Sequence, residues 1–561
     1  MPAIVQVNVS ETVAPTPITL QSTGALLSQG GTSTAPGTMS LLTQASDFTP
    51  IMAGALPLAS ITQVTGTATA TASAAHGFTI GDTLMVTIAG ATPAAYNGTH
   101  LVTVTTTTAF TFAVATGTAT PATGTLVYTV SDVAELFSMV NSYFGQGGQT
   151  AVFVLELGPG NVNDGVAFLA AWITANPNGI AYGNGFFGFY SYLVPREWDA
   201  NPNFLAFLAT FEAPSAKTYF WVTTTVSTYT MYSVLMKDVL TLIEAPVQVV
   251  SSSNRLTALI TAGSSGTATV VEATTTNPHG LANGDLFQIV GCVPAAYNGF
   301  FTALNSTTQI TSGNTIFYLL PSAPGTETTL GSVAPSFTAS SGIAANEFSM
   351  AAPFNAALSL NPAGGFVPPF GYTFLFGVTP FPTFGNQALL ATLAAANVNV
   401  VGTGAEGGIS NAILLNGKTM DGNSFNWWYA IDNSNINLNL NLSNAVINGS
   451  NDDEAPLYLN QAGINALQGV CASTMAAGVT AGLVLGTIVQ TELTPQVFQQ
   501  NVQDGDYAGQ CVINAVPFAA YYAANPGQYK EQLYGGFSVS FTPQLGFENI
   551  LINLNATSFV G

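Results

Sequence analysis

The residues of this chain that could do chemistry are few, and their spacing completes no catalytic motif. Residues 402–407 read Gly-Thr-Gly-Ala-Glu-Gly, which is the glycine spacing of a dinucleotide-binding loop. Such a loop needs a helix directly after it to hold the pyrophosphate, whereas residues 408–411 favour a turn. Residues 417–419 resemble the end of a phosphate-binding loop, but Ala412 stands where that motif needs its first glycine. We therefore expect no nucleotide site and no cofactor.

The histidines and the clustered carboxylates do not form a recognisable metal centre. His76 and His279 each precede a Gly-Asp turn, and one histidine cannot supply the three or four ligands of a zinc site. We interpret both as turn or capping residues. The acidic residues of 452–454 and 504–506 could bind calcium, but their spacing differs from that of an EF-hand loop. We expect solvated loops there, and we predict a chain that is not an enzyme and holds no metal.

The cysteines and one aromatic cluster leave alternatives open. Cys292, Cys471 and Cys511 fit no metal motif and no dense disulfide framework, so we predict buried thiols. A disulfide between subunits is the other interpretation. Residues 427–429, Trp-Trp-Tyr, could stack on a sugar, although a packed core or an interface is the more common role of such clusters.

The composition indicates a protein that buries its surface against neighbours. Only 6% of the 561 residues are charged, against about 25% in ordinary soluble domains. Lys and Arg number 6 against 27 Asp and Glu, which excludes nucleic-acid binding by phosphate neutralisation. No apolar run is long enough to predict membrane insertion, and the start lacks the basic region of a secretory signal. We therefore expect a large assembly formed inside a cell.

An internal repeat divides the chain. Residues 76–98 and 279–299 both contain His-Gly, then Gly-Asp, then Pro-Ala-Ala-Tyr-Asn-Gly. The second copy is shorter by two residues, and an even difference preserves the facing of side chains in a strand. Asn-Gly predicts a tight hairpin turn, because it accepts positive φ at both central positions. Each copy predicts a small all-β module, at 61–129 and at 259–338, inserted into another fold.

The remaining segments predict the fold class. Residues 1–60, 130–258 and 339–561 form an α/β (α+β) core, which the two modules make discontinuous. Between 130 and 258, short apolar strands alternate with helical patterns, including a helix near 232–243. Over 436–442 the sequence Ile-Asn-Leu-Asn-Leu-Asn-Leu alternates with period two, which predicts a strand with one apolar face.

Three helices have clear start signals. Ser131-Asp132 begins the first, Asn163-Asp164 the second, and the third begins at Gln461. The apolar face of the first helix is predicted to contain Val133, Leu136, Phe137 and Val140.

Both ends of the chain predict extended strand arms. Val5, Val7 and Val9 alternate with polar residues, and so do Ile552 and Leu554. A terminal strand of this kind can complete a neighbour's sheet by edge pairing, so these five residues are our candidates for strand donation between subunits. Pairing within the same subunit is the alternative.

The third segment resembles a known family. The likeness covers roughly residues 340–561 and is to the tail sheath proteins of contractile-tailed bacteriophages. It rests on these strings: Phe-Gly-Val-Thr-Pro at 376–380, Asn-Val-Asn-Val at 397–400, Tyr-Ala-Ile-Asp at 429–432, Leu-Tyr-Leu-Asn-Gln-Ala-Gly-Ile-Asn at 457–465, Tyr-Gly-Gly-Phe-Ser-Val at 534–539, and Leu-Asn-Ala-Thr at 554–557. The paired modules do not belong to the common sheath core, and they look like the small β decorations of phage structural proteins.

The resemblance implies a mechanical role. Sheath subunits stack as hexameric rings around a rigid tail tube, and their terminal arms donate strands to neighbouring subunits. Contraction drives the tube through the host envelope. The implied partners are further copies of the chain, the tail tube protein, and the baseplate and tail terminator proteins. The implied location is the virion, after assembly in the bacterial cytoplasm, with no direct contact to nucleic acid.

Two other function classes remain open at this point. A phage adhesin or an S-layer-like surface protein would use the β modules to bind glycans. A glycan-degrading phage hydrolase would need a pair of carboxylates, which any two Asp or Glu residues could form in space. No residue pattern nominates that pair.

Overall fold

The fold is given by a computed structural model. The structure describes residues 20–547, apart from 131, 148–149, 177–179, 183–184, 188, 245–246, 249–253, 266–267, 277–285, 291, 305–313, 321, 323, 339–346, 382–386, 405–408 and 455.

The described residues contain 27 strands and ten helices, numbered here along the chain. The strands are β1 (Gly24–Ser28), β2 (Met39–Leu42), β3 (Leu56–Val64), β4 (Thr67–Ala72), β5 (Thr83–Ala89), β6 (Gly98–Val104), β7 (Ala109–Ala113), β8 (Val127–Val130), β9 (Val152–Glu156), β10 (Ile180–Tyr182), β11 (Gly185–Phe187), β12 (Ser191–Leu193), β13 (Tyr219–Thr224), β14 (Val239–Ile243), β15 (Val247–Gln248), β16 (Asn254–Ser265), β17 (Ala268–Thr275), β18 (Leu286–Val290), β19 (Gly299–Thr302), β20 (Thr315–Leu320), β21 (Ser332–Thr338), β22 (Phe374–Leu375), β23 (Asn399–Gly404), β24 (Ile409–Leu415), β25 (Thr487–Thr491), β26 (Gln510–Ala515) and β27 (Phe537–Ser540). The helices are α1 (Asp132–Phe144), α2 (Val162–Ala175), α3 (Pro202–Leu208), α4 (Ala351–Leu358), α5 (Gln387–Ala395), α6 (Phe425–Ser450), α7 (Gln461–Thr480), α8 (Pro495–Asp504), α9 (Phe518–Ala524) and α10 (Pro526–Lys530).

A nine-stranded sheet with helices on both faces forms the centre of the molecule. Its strand order is β2-β9-β1-β12-β13-β14-β23-β24-β22, and the six strands from β9 to β23 are parallel. Strand β13 shows the physical basis. Tyr219 and Trp221 pack into the layer that contains α1, α4, α6 and α7, while Phe220 and Val222 pack into the layer of α2, α3 and α5. Parallel strands covered on both faces are apolar throughout, and this sheet follows that rule. The chain is thus a mixed α/β protein with several sheets.

The two repeated segments share one strand topology. Strands β3 to β8 close into a barrel in the order β3-β4-β7-β6-β5-β8, which we call the first barrel. Strands β16 to β21 follow the order β19-β18-β21-β16-β17-β20. When β16 to β21 are matched in turn with β3 to β8, the two segments have the same cyclic strand order. In the second segment the ring of strands is open between β19 and β20. The first barrel begins at Leu56, within the range 1–60 that the sequence assigns to the core.

A smaller sheet of β25, β26 and β27 lies in the C-terminal part of the chain. Strand β25 is parallel to β26, and β27 is antiparallel to it. Cys511 and Ile513 of β26 belong to the same apolar layer as Cys471 of α7, so this sheet is continuous with the main core.

Most of the expected elements are present. The helices predicted from Asp132, Asp164 and Gln461 are α1, α2 and α7, and Asn161 and Asn460 cap the last two by accepting from backbone amides. Of the predicted apolar face of α1, Val133, Leu136 and Val140 are buried. Phe137 is 40% exposed and packs only at the rim, against Phe48.

The strand predicted at 436–442 is wrong, because those residues lie in the middle of α6. The Ser424 hydroxyl caps this helix by accepting from the Trp427 amide at 3.2 Å. Leu438 and Leu442 are four residues apart and pack on the core, whereas Leu440 is 54% exposed. A spacing of four satisfies both period two and period 3.6, which is why the pattern was ambiguous.

The helix predicted near 232–243 is also wrong. A short turn is followed by β14, whose five residues are all buried. An apolar run of this length fits a buried strand as well as a helix, so periodicity could not separate the two.

The Asn-Gly pairs do not form two-residue hairpin turns. Asn97 and Asn298 are extended, with φ of −81° and −87°, and each follows a short 3-10 turn. The Asn97 side chain accepts from the Ala91 amide and donates to the Ala91 carbonyl, both at 2.8 Å. Asn298 repeats both bonds with Cys292. Asn-Gly therefore closes a longer loop, and the preceding Pro-Ala-Ala-Tyr belongs to the same unit.

Candidate functional site

The residues predicted to donate strands fall outside the described part of the chain. Val5, Val7 and Val9 precede it, and Ile552 and Leu554 follow it. The described residues nearest to them in the sequence are those at the two ends of the described chain.

The N-terminal end lies on α6. The Gln21 side chain is 2% exposed and donates from Nε2 to the Tyr429 carbonyl at 2.9 Å. Its Oε1 accepts from Asn433 Nδ2 at 2.7 Å, one helical turn further along. Leu20 packs at the edge of the core beside these residues. The chain therefore enters β1 from a fixed position against the second and third turns of α6.

The C-terminal end lies beside the start of the same helix. Leu545 and Phe547 line a cavity of about 410 Å³ together with Pro369, Tyr372 and Trp427. Phe547 is 84% exposed, so its ring does not fill a core. The distance along α6 from Trp427 to Asn433 is about 9 Å, at 1.5 Å per residue. Both ends of the described chain thus lie beside the first three turns of α6.

The chain ends and the inserted segments occupy opposite edges of the main sheet. Leu20 precedes β1. Asn416 follows β24 and lies opposite the start of β23, and it lines the cavity at Phe547. Both therefore lie at the amino edge of the parallel strands. At the carboxyl edge, Pro159 follows β9 and packs against Gly77 of the first barrel. The second inserted segment follows the carboxyl end of β14. The strands β9 and β14 are four spacings apart, about 19 Å.

Two strands of the small sheet have an unpaired side among the described residues. Strands β25 and β27 each pair with β26 on one side only. The residues of β25 are half-buried or exposed, and all four residues of β27 are half-buried. An edge of this kind can accept a strand from another chain.

Exposed aromatic side chains surround β22, the last strand of the main sheet. Phe374 and Phe376 are 52% and 54% exposed, and nearby Phe366 is 81% exposed. Part of this edge is covered by Gln146, whose side-chain amide donates to the Phe376 carbonyl and accepts from its amide. Contiguous apolar surface is a usual property of protein contact sites.

The residues repeated in the two inserted segments make internal bonds. Tyr96 is fully buried and donates to the Ala119 carbonyl, and Tyr297 does the same to Gly325. His76 is buried, accepts from the Phe78 amide at 3.1 Å and stacks on the Phe78 ring, which confirms a turn role. His279 lies outside the described residues. The repeated residues thus stabilise the fold of each segment.

A buried arginine connects three glutamates at the carboxyl edge. Arg196 is 8% exposed and makes a bidentate pair with Glu244, with both N–O distances at 2.7 Å. Its backbone amide donates to Glu135, and its guanidinium also donates to the Glu347 carbonyl. Burial raises the pKa of Glu135, and the Arg196 charge opposes that change.

Replacing this arginine should destabilise the core. In Arg196→Met, we expect unfolding free energy to fall by about 3–5 kcal/mol, because Glu244 and Glu135 are left as buried charges without a partner. All five tryptophans lie in the core segments, so tryptophan fluorescence during urea unfolding reports the core and not the inserted segments. Lys530→Met removes the same charge at an exposed site and should change stability by less than about 0.5 kcal/mol. Equal effects of the two variants would contradict a role of the buried pair.

A second buried charge cluster lies near α6. Lys237 Nζ is 2.8 Å from Asp238 Oδ1 and lies over the Trp428 ring at 4.6 Å. Asp432 accepts from the hydroxyls of Tyr190 and Tyr219 at 3.0 and 2.9 Å. Burial raises the pKa of Asp238 to about 8 despite Lys237, and burial likewise raises that of Asp432 to about 6. No residue spacing marks either cluster in the sequence, because the partners of each charge lie far away along the chain.

The remaining chemical candidates occupy ordinary structural positions. Residues 402–404 end β23, and the next described element is β24, which pairs antiparallel with β23, whereas a dinucleotide-binding loop leads into a helix. The three cysteines are free and buried, as the sequence predicts. Tyr429 is buried, and Trp428 donates to Asp421 at 2.9 Å, which agrees with a packed cluster.

The clustered carboxylates are separate from the core. The side chains at 452–454 and 504–506 are exposed. Among the described residues, no three His, Cys, Asp or Glu side chains are placed to hold a metal ion.

A scan against protein-family models finds no match to this chain, and a search of the curated proteins also finds none. No helix in the described part of the chain combines the length and the apolarity needed to cross a membrane.

Proposed function

We propose that this chain is the structural subunit of a bacteriophage contractile tail sheath. In this proposal it polymerises as stacked hexameric rings around the tail tube, and its terminal arms donate strands to neighbouring subunits. Contraction of the polymer drives the tube through the host envelope. The partners are other copies of the chain, the tail tube protein, and the baseplate and tail terminator proteins. It is assembled in the bacterial cytoplasm and resides in the virion.

The observation that carries the proposal is the placement of the chain ends. Leu20 and Phe547 both lie at the amino edge of the main sheet, beside the first turns of α6. The first barrel and the second inserted segment leave from the opposite edge. Two arms that start together, with bulky insertions pointing away, can both reach adjacent subunits. This arrangement adds to the resemblance of residues 340–561 to sheath sequences.

The charge distribution supports contacts that do not depend on ion pairs. Of the 6 Lys and Arg residues, Arg196 and Lys237 are buried inside the subunit. The surface therefore has few cations with which to pair its many carboxylates. Contacts between subunits then rest on apolar packing and backbone pairing, which salt screens weakly.

Electron microscopy of the purified chain tests the proposal. We expect hollow striated cylinders or stacked rings in negative stain, at low and high salt alike. The tail tube protein is added in a parallel sample, because a sheath can need its tube as a template. Single particles in every sample would contradict the proposal. Binding of those particles to a glycan array would then favour an adhesin or S-layer-like surface protein.

A further inference from the structure

The first barrel contacts the core at a joint between two loops. On the barrel side, the joint contains Gly77 and Asp82, which lie in the loop before β5. On the core side, it contains Pro159, Asn161 and Asp164, in the loop after β9 and the first turn of α2. Gly77 packs on Pro159, and a methyl group at Gly77 would lie 3.5 Å from that ring.

Two carboxyl groups meet across this joint. The Asp82 and Asp164 side chains are within hydrogen-bonding reach of each other, and Asn161 also bonds to Asp82. The Oδ2 atom of each aspartate is buried and has no donor within reach. Two carboxylate oxygens are both acceptors, so their contact is favourable only when one of them carries a proton.

The surroundings favour a single shared proton. Burial, followed by the bond to Asp164 and its charge, raises the pKa of Asp82 to about 6, while the Asn161 bond acts in the opposite direction. Asp164 lies in the first turn of α2, where the helix dipole stabilises a negative charge. Asp82 is therefore the better site for the shared proton.

Two other titratable groups lie near the joint. Glu156 precedes the loop of Pro159, but its carboxylate is occupied by donors from Ser28, Gly30 and Thr32 of the core. His76 lies in the barrel loop, and burial lowers its pKa. Protonation of His76 would break its bond from the Phe78 amide and loosen the loop at acidic pH. That direction is opposite to the one expected from the aspartate pair.

We propose that Asp82 and Asp164 form a pH-sensitive latch between the first barrel and the core. The shared proton closes the latch in mildly acidic solution. When the proton is lost, two like charges face each other across the joint and the barrel loosens. The inference concerns a joint within one subunit and does not depend on the proposed sheath function.

Hydrogen–deuterium exchange of the full chain measures the latch directly. Peptides that cover 78–86 and 157–166 report both sides of the joint, after correction for the pH dependence of intrinsic exchange. From pH 5 to pH 8 we expect their protection to fall about tenfold. This is less than the shift in pKa alone would give, because solvent screens a partly exposed pair. Peptides of β13 in the core interior should show no such change.

Substitutions separate the latch from other effects of pH. In Asp82→Asn the amide donates to Asp164 at every pH, so the protection of both peptides should no longer depend on pH. Asp164→Asn is the reciprocal variant if the first one folds poorly. Asp453→Asn removes an equal charge from an exposed loop and should behave as the unmodified chain.

Three results would overturn the proposal. The first is equal protection of the joint at both pH values in the unmodified chain. The second is a pH dependence that persists in Asp82→Asn. The third is a loss of protection at pH 5 instead of pH 8, which would assign the effect to His76.

Discussion

A chain without residues 1–12 is expected to fold and to remain as separate subunits. Among the described residues, the first contacts with the core are made by Leu20 and Gln21, which the truncated chain retains. Folding of the core should therefore be unchanged. Val5, Val7 and Val9 are lost, and with them the strand that we propose to pair with a neighbour. Since backbone pairing cannot be replaced by ion pairs on this weakly charged surface, we expect no cylinders at all.

Electron microscopy and tryptophan fluorescence together measure this result. The first reports the polymer, and the second reports the core that contains all five tryptophans. Cylinders of normal length and number from the truncated chain would falsify strand donation by the N-terminal arm. A truncated chain that unfolds at lower urea concentration would show that the arm belongs to its own subunit's fold.

Two charge variants supply a matched control. Aspartates at Val5, Val7 and Val9 place three charges on the apolar face of the arm. Aspartates at Gln6, Asn8 and Ser10 place the same charges on the polar face, because successive side chains of a strand point to opposite sides. We expect only the first set to abolish assembly. Equal loss in both would indicate general repulsion between arms.

The sequence predicts the α/β core well where cap residues and apolar periodicity agree. The start signal Asn163-Asp164 lies in the first turn of α2, whose cap is Asn161, and the apolar positions of α1 recur at helical spacing. The repeat is also visible in the sequence, since its Tyr and Asn residues have one structural role in both copies. Local signals of this kind are sufficient because the physical cause lies within a few residues.

Where one pattern satisfies two periods, sequence reasoning fails. Residues 436–442 alternate as a strand does, yet α6 extends over 26 residues and uses only Leu438 and Leu442 of that stretch for packing. The helix is decided by the Ser424 cap and by the core that it covers, and neither is contained in the alternation.

Long-range charge placement is also hidden in the sequence. Asp432 is separated by more than 200 residues from Tyr190 and Tyr219, and it accepts hydrogen bonds from their hydroxyl groups. Arg196 and Glu244 come together only because β12 and β14 end at the same edge of the sheet. Candidate positions could have been found as isolated charges inside apolar runs, but their partners depend on strand order.

The stability of the core should fall as pH rises from about 4 to about 8. Asp238 is 1% exposed, and burial, the largest effect, raises its pKa from 3.8 to about 8. The unfolded chain loses this proton near pH 4, whereas the folded chain keeps it, so the folded state binds more protons over that interval. Stability from this group is therefore greatest at acidic pH and is lost as the pH approaches 8. Asp432, with a pKa raised to about 6, acts in the same direction.

Urea unfolding followed by tryptophan fluorescence at pH 5 and pH 8 tests this sign. We expect the core to be less stable at pH 8 by on the order of 3 kcal/mol, less than the full shift implies because pH 5 to pH 8 covers only part of the interval between the unfolded and folded pKa values. Asp238→Asn cannot titrate and should lose most of the difference, while Asp506→Asn, at an exposed site, should retain it. Greater stability at pH 8 than at pH 5 would mean that the ion pair with Lys237 outweighs burial. The carboxylate would then be charged in the folded core, and removal of Lys237 would be the more damaging change.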